Sequence, residues 1–336
     1  MGALALPAWL RQVRVSGDVA LGLGVMLVLA LLVGYARSTG GSPWQIALML
    51  LLTLTPATTV AISLFHWGVT QVVPPRLLPK LDFRKGIAPG HETMVVIPAL
   101  LTGPQEVKSL LRQLELHYLR NSDKRLQFAM LTDFGDADAQ DLPEDEALLA
   151  QAEAGIQALN GRCGRPRQGA APAPGLTSVP QGPFHFFHRK RLWNARERVW
   201  MGWERKRGKL DEFSTLLHDL GPTTFICTGA DLAACRRTRY VITLDADTIL
   251  PPGGAARLAG ALAHPLNHAV FDPQSGKVKA GYTVLQPRTE IALTSSNRSL
   301  FSQIYAGDKG LDLYTLAVSD VYQDLFGEGS YIGKGI

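Results

Sequence analysis

The most constraining feature of this 336-residue chain is a pair of long segments near its N terminus that carry no charged side chain. The first covers residues 19–36, and the second covers 44–65 within a stretch between Arg37 and Arg76 that has no Asp, Glu, Lys or Arg. A helix needs about 20 apolar residues to cross a bilayer core. We therefore expect a transmembrane hairpin over residues 19–67, with helices at 19–36 and 44–66, an N-terminal segment at 1–18 and a juxtamembrane linker at 68–92.

Cations flank the two segments unevenly. Arg11 and Arg14 precede the first segment, whereas the turn between the two holds only Arg37. Three more cations follow the second segment, namely Lys80, Arg84 and Lys85. Because cytoplasmic loops carry an excess of Lys and Arg, we expect a multi-pass protein whose soluble domain and both termini are cytoplasmic. A signal peptide would have one apolar stretch, and a core helix would have a polar face, so both fit less well.

From residue 93 onward, short apolar runs alternate with amphipathic segments. Strands are predicted over 94–97, 127–132, 184–188, 239–244 and 282–286. Helices are predicted over 104–121, 144–160, 255–264, 291–304 and 316–326. This alternation is typical of an α/β sheet with right-handed crossovers. Segment 161–183 is rich in Gly and Pro and is predicted to be an exposed loop.

The clearest strand runs directly into Asp245-Ala-Asp247. Two carboxylates at this spacing can hold Mg²⁺ or Mn²⁺ and leave room for phosphate oxygens, and ligands of open α/β sheets bind at this edge. An N-cap or a solvated turn is the alternative, but the apolar residues on both sides of the pair favour a metal site. An aspartyl phosphatase would need threonine where Ile249 stands, which disfavours that class.

Nine Lys or Arg and two Glu lie between Arg189 and Lys209. The run could be a solvated helix, which could rest on anionic lipid, a nucleic-acid contact, or a clamp for a diphosphate. We favour the clamp for Lys206 and Lys209, because Gly208 between them would let the backbone approach a ligand closely, and a solvated helix for most of the rest. No nucleic acid is expected, because no groove-reading or base-stacking module accompanies the run.

The last residues form a glycine-rich segment. Four glycines fall within nine residues, together with Glu328 and Lys334. This composition favours a loop that lines a ligand site, and an ordinary glycine-rich turn is the alternative.

These motifs resemble the glycosyltransferase region of cyclic β-1,2-glucan synthases. The motifs that carry the resemblance are Trp200–Leu210, Tyr240–Thr248, Leu285–Arg288, Ala317–Ser330 and Ile332–Gly335. The resemblance covers roughly Pro75 to Ile336. It implies a GT-A fold over residues 93–336, UDP-glucose as donor, a β-1,2-glucan acceptor, a divalent cation and a place in a bacterial inner membrane.

The resemblance also implies roles for individual residues. Asp245 and Asp247 would form the metal-binding pair. The donor side would be formed by Pro98, Ala99, Asp133, Lys206, Lys209 and Asp245. The acceptor side would be formed by Gln286, Arg288, Phe326, Gly327, Glu328, Gly329 and Ser330.

The same resemblance suggests a truncated or fragmentary synthase that carries out an inverting transfer. The family pattern continues past Gly-Lys-Gly with an acidic motif that supplies the catalytic base, so we expect the base beyond Ile336 and the rest of the synthase as a partner. Candidates within the chain are Asp320, Asp324 and Glu328. The competing classes are a non-catalytic, membrane-anchored nucleotide-sugar binder and a membrane-tethered binder of anionic lipid or nucleic acid.

Overall fold

The computed structural model describes residues 8–72, 77–163, 182–226, 232–287, 299–300 and 333–336. The chain divides into two compact units. The first comprises Met1–Leu78 and Arg288–Tyr331, and the second comprises Pro79–Pro287 and Ile332–Ile336.

Two consecutive helices, α1 (Ala8–Ser38) and α2 (Pro43–Val72), form the described part of the first unit. They pack closely, since a Cβ added at Gly24 would lie 3.6 Å from Ala61 Cβ. Among the residues whose side chains the structure describes, Pro43–Leu64 is long and apolar enough to cross a membrane, and Gly22–Ser38 of α1 is a shorter apolar stretch. Composition and length therefore support a span in α2, and the transmembrane hairpin as a whole stays a prediction.

The second unit is built on a five-stranded sheet with two short hairpins beside it. The strands are β1 (Thr93–Leu101), β2 (Leu126–Phe134), β3 (Phe184–Arg189), β4 (Leu192–Asn194), β5 (Val199–Met201), β6 (Phe225–Ile226), β7 (Tyr240–Thr243), β8 (Val270–Phe271) and β9 (Val278–Ala280). The helices are α3 (Pro104–Arg120), α4 (Asp145–Cys163), α5 (Arg205–His218), α6 (Leu232–Cys235) and α7 (Gly254–Leu262).

The central sheet has the strand order β6-β3-β2-β1-β7. Strands β3, β2, β1 and β7 are parallel, and β6 pairs antiparallel with β3. The predicted mixed α/β sheet with flanking helices is thus confirmed. Successive strands add outward from β1 through β2 to β3, and the chain then returns to place β7 on the other side of β1.

Side chains of the parallel strands are buried on both faces of the sheet. Val95 and Ile97 belong to a core with α3, α4 and α7, whereas Met94 and Val96 belong to a second core with α5. This alternation follows from the two-residue period of a strand. It explains why β1 is a continuous apolar run, as expected of a strand covered on both sides.

The structure differs from three of the predicted elements. Strand β1 continues through Pro98 to Leu101 instead of ending at the proline. The strand predicted at 282–286 is wrong: Leu285 exchanges two backbone hydrogen bonds with Ile336 rather than joining the central sheet. The basic run is not one solvated helix, because β4 and β5 form a hairpin before α5 begins.

Two further predictions lie almost entirely outside the described residues. They are the exposed loop at 161–183 and the helices at 291–304 and 316–326.

Candidate functional site

The candidate site lies where the strand order reverses, between β1 and β7. In doubly wound sheets the crevice at such a point, beyond the carboxyl ends of the strands, is where ligands bind. Polar residues of three elements meet there. Asp245 follows β7, Asp133 stands near the end of β2, and Lys206 and Lys209 come from the first turns of α5.

Asp133 is held in a buried ion-pair network. Arg189 Nε donates to its Oδ1 at 2.7 Å, and a second guanidinium nitrogen donates to Oδ2 at 2.9 Å. Lys209 Nζ lies 3.1 Å from the same Oδ2. A third nitrogen of Arg189 donates to Glu212 Oε1 at 2.9 Å. Because the Asp133 and Arg189 side chains are 2% and 0% exposed, this network is buried beneath the solvent-exposed part of the site.

The register of the sheet explains why this network forms. Asp133 of β2 pairs with Arg189 of β3 in the parallel ladder, so their side chains stand next to each other. Gly202 packs directly against this ion pair, since an added Cβ would lie within 2.8 Å of Asp133 and 2.9 Å of Arg189. A bidentate Arg–carboxylate pair is among the strongest ion-pair geometries.

Lys209 links the buried Asp133–Arg189 network to the end of β1. Its Nζ donates to Ala99 O at 2.5 Å, and its side chain is 3% exposed. Burial lowers the pKa of Lys209 to about 8, although Asp133 opposes that shift. The buried ammonium therefore has fixed partners in β1 and β2, which makes it a positioning group for the predicted donor residues Ala99 and Asp133.

A second, more exposed cluster surrounds Asp245. Lys206 Nζ contacts Asp245 Oδ1 and donates to Gly333 O at 3.1 Å, and Lys334 Nζ lies 3.2 Å from Asp245 Oδ2. Burial would raise the pKa of Asp245, but the hydrogen bonds from the two lysines outweigh it and lower the pKa. The carboxylate is one-third exposed, so solvent and ligands can reach it.

The predicted metal pair is open to solvent on one side. Asp247 is exposed, and Thr248 Oγ1 donates to its Oδ1 at 3.4 Å. Carboxylate oxygens are the ligands that Mg²⁺ prefers, so the chemistry of the pair fits a hard divalent cation. Within the described residues no group of three or more His, Cys, Asp or Glu side chains could hold a metal. Among the described residues, Asp245 and Asp247 would thus need further oxygen ligands to complete the shell of a cation.

Gly208, in the Lys206-Arg-Gly-Lys209 motif, is required for close packing at the start of α5. It lies inside the first turns of α5, where an added Cβ would meet Trp203 O at 2.1 Å. Gly208 therefore lets α5 pack closely against Trp203, and the expectation that it brings the backbone close to a ligand stays a prediction.

The basic run is partly buried. Arg189, Arg191 and Lys209 are each 4% exposed or less, and Arg191 pairs with Asp145 at 2.5 Å. Buried cations with fixed carboxylate partners are not available to phosphates of lipid or nucleic acid. This arrangement disfavours the view of residues 189–209 as a uniform solvated basic surface.

The remaining predicted site residues divide into two sets. Pro98 is buried within β1 and Gln286 is half-buried beside the segment that pairs with Ile336. The other predicted residues lie outside the described part of the chain: Arg288, Asp320, Asp324, Phe326, Gly327, Glu328, Gly329 and Ser330.

Three residues of the two clusters were missing from the predicted donor set. Arg189 pairs with Asp133, Glu212 pairs with Arg189, and Lys334 pairs with Asp245. Aligning the ends of two parallel strands in the sequence would have paired Arg189 with Asp133. Nothing in the sequence near Lys334 signals that it reaches Asp245, because the two residues are far apart along the chain.

A wide basic cleft of about 1170 Å³ lies at the opposite end of the sheet. Its walls include Lys85, Arg120, Arg125 and Arg257, close to where β1 and β2 begin. Since ligands of such sheets bind at the carboxyl ends of the strands, this cleft is not the candidate site.

Comparison with known proteins agrees with the motifs. No protein-family model matches the chain. The curated cyclic β-(1,2)-glucan synthase NdvB of Rhizobium meliloti (strain 1021) is 38% identical to the chain over 320 residues. The match covers 93% of this chain and 11% of the synthase, so the chain spans only a small part of that protein. The expected resemblance to cyclic β-1,2-glucan synthase is thereby confirmed, and it reaches into the N-terminal helical pair.

Proposed function

We propose that this chain is a glycosyltransferase segment that binds UDP-glucose at the β1–β7 crevice and serves β-1,2-glucan synthesis. The single observation that carries the proposal is the convergence of Asp245, Lys206 and Lys334 at the point where the strand order reverses. The similarity to a glucan synthase supports the reaction class. The assignment of the second unit to the GT-A fold is part of this proposal.

The two clusters suit the two parts of a nucleotide sugar. The partly exposed lysines at Asp245 match the negative charge of a diphosphate, and charge-assisted hydrogen bonds to phosphate are strong. Asp133 and Ala99, fixed by Lys209, would form the wall for the nucleoside. We assign the phosphates to Lys206 and the positioning role to Lys209 because the Lys206 side chain is 40% exposed and that of Lys209 only 3%.

Asp245 and Asp247 would hold a divalent cation, Mg²⁺ or Mn²⁺. Such a cation neutralises negative charge on a leaving diphosphate. The protein side chains then have two tasks: Lys206 binds the phosphates, and the buried Asp133–Arg189–Lys209 network keeps the ends of β1 and β2 in place. Inverting transfer also needs a carboxylate that accepts the proton of the acceptor hydroxyl, for which Asp320, Asp324 and Glu328 stay candidates.

Binding of UDP to the full-length chain in detergent tests the proposal. Calorimetric titrations with and without Mn²⁺ would compare the wild type with Asp245→Asn. We expect metal-dependent UDP binding in the wild type and at least a roughly tenfold weaker affinity in the variant, because a hydrogen bond to a charged group contributes about 1.5–3 kcal/mol.

Asp219→Asn is the matched control. Asp219 is an exposed aspartate at the end of α5 that pairs with Arg236 at 2.6 Å, so its substitution removes the same charge elsewhere. UDP affinity should be unchanged in this control. Failure of the wild type to bind UDP under any metal condition would refute the proposal. Binding without transfer of glucose to a β-1,2-glucan would instead favour the non-catalytic nucleotide-sugar binder.

A further inference from the structure

The last four residues make backbone hydrogen bonds beside the candidate site. Thr243 N donates to Gly335 O at 2.7 Å, and Gly335 N donates back to Thr243 O at 3.1 Å. Leu285 and Ile336 exchange a second pair of backbone bonds, at 2.9 and 3.0 Å. The segment 333–336 is therefore paired on both sides, with β7 and with the chain at Leu285.

Packing holds this segment in one position. Ile336 is 6% exposed and belongs to the main hydrophobic core. Gly335 has a φ of +154°, and an added Cβ would lie 2.4 Å from Leu285 O, so the backbone passes this point only as glycine. Lys334 directly precedes these two anchored residues, so contacts other than those of its own side chain hold its backbone in place.

The result is a carboxylate with two ammonium partners. Lys206 contacts one oxygen of Asp245, and Lys334 lies 3.2 Å from the other. One carboxylate cannot balance two positive charges, so the cluster has capacity for a further anion. The Lys334 side chain is 23% exposed, which leaves its ammonium within reach of a ligand.

We propose that Lys334 is a donor-binding residue that contacts the diphosphate of the nucleotide sugar, and that the segment 333–336 positions it for that contact. This inference rests on the proposed function. When the diphosphate binds, its oxygens take over the two ammonium groups from Asp245. Lys334 and Lys206 therefore act as a pair that responds to the same ligand.

The experiment measures affinities for uridine, UMP and UDP in the full-length chain, for the wild type and Lys334→Met. If Lys334 contacts the diphosphate, UDP affinity falls by about tenfold or more, UMP affinity falls less, and uridine affinity stays the same, because uridine has no phosphate that could lose a charged partner. Lys334→Arg, which keeps the charge, should recover much of the loss. Lys277→Met is the control, since Lys277 is an exposed lysine next to β9 that should affect no ligand.

Labelling of the wild type provides a readout that needs no variant. UDP should protect Lys334 from an amine-reactive reagent, whereas uridine should not. Unchanged UDP affinity in Lys334→Met, an equal loss for uridine and UDP, or equal labelling with and without UDP would each overturn the inference. Those results would leave the proposed function intact if the wild type binds UDP, whereas a wild type that binds no UDP would refute the proposed function itself.

Discussion

At the scale of single residues, surroundings rather than residue type decide what each charged group does. Lys206 and Lys209 lie three positions apart on α5, yet one is 40% exposed at Asp245 and the other 3% exposed beneath Ala99. The two aspartates differ in the same way, since the Asp133 side chain is 2% exposed and that of Asp245 is 33% exposed. The buried member of each pair stabilises the strand ends, and the exposed member remains open to a ligand.

A buried histidine makes the stability of the second unit sensitive to acid. His117 on α3 is 1% exposed, and burial lowers its pKa from 6.5 to about 4. As pH falls through 6.5, the unfolded state takes up this proton while the folded state does not, so stability is lost until the pH reaches the folded-state pKa. At pH 5 the loss is about 2 kcal/mol. We expect His117→Leu to reduce the difference in unfolding free energy between pH 7 and pH 5 by about that amount.

Thermal or denaturant unfolding of the full-length chain at the two pH values measures this effect. Leu114→Met is the control, because it alters another buried position of α3 and keeps His117. It should retain the acid sensitivity of the wild type. An equal loss of stability on acidification in His117→Leu and wild type would contradict the expectation.

At the scale of elements, α5 determines the geometry of the candidate site. The helix begins at Arg205, its first turns carry both lysines, and Glu204 and Arg205 have positive φ angles of 50° and 48°. Gly208 determines how closely α5 packs against Trp203, which lies two positions before the helix begins. We expect a substitution of Gly208 to shift Lys206 and Lys209 without altering either lysine side chain.

We expect Gly208→Ala to destabilise the protein and weaken UDP binding together. Alanine favours a helix by about 1 kcal/mol over glycine, but its Cβ would stand 2.1 Å from Trp203 O, and overpacking costs about 1–3 kcal/mol. Unfolding midpoint and UDP affinity are the two measurements.

Gly161→Ala is the matched control for this change. Gly161 is also helical, on α4, and an added Cβ there meets nothing within 4 Å. It should raise stability slightly and leave UDP affinity unchanged. A Gly208→Ala variant as stable as Gly161→Ala would show that α5 can shift freely.

Sequence patterns predicted the long elements well and the short ones poorly. Strands β1, β2, β3 and β7 are apolar runs, and their burial on both faces makes that pattern visible. Strands β4 and β5 were missed because each has only three residues, too few to show an alternating period. Strand β6 has two residues, too few for any period.

At the scale of the whole molecule, the chain combines a helical pair with an α/β unit, and the similarity to the glucan synthase includes parts of both. The apolar helix α2 precedes Lys80, Arg84 and Lys85, whereas Arg37, in the last turn of α1, is the one Lys or Arg between Arg14 and Arg76. The difference in positive charge predicts which side of a membrane each part occupies.

Reporter fusions test this orientation. We expect alkaline phosphatase, which is active only outside the cytoplasm, to be active when inserted in the turn at residues 39–42 and inactive when fused after Ile336. A fluorescent protein that folds only in the cytoplasm, fused after Ile336, is the reciprocal control. Phosphatase activity at the C-terminal fusion would contradict the expected orientation.

The sequence by itself determined the apolar N-terminal segments, the parallel strands and the aspartates at the end of β7, because each depends on neighbours along the chain. Asp133, Lys206, Lys209 and Asp245 were also recognisable as candidates from their local patterns. Only the tertiary structure decided which carboxylate each lysine meets, that Arg189 lies beneath Asp133, and that Lys334 reaches Asp245. These contacts join residues from distant parts of the chain, and their energies depend on burial and distance, which arise only when the sheet and its helices pack together.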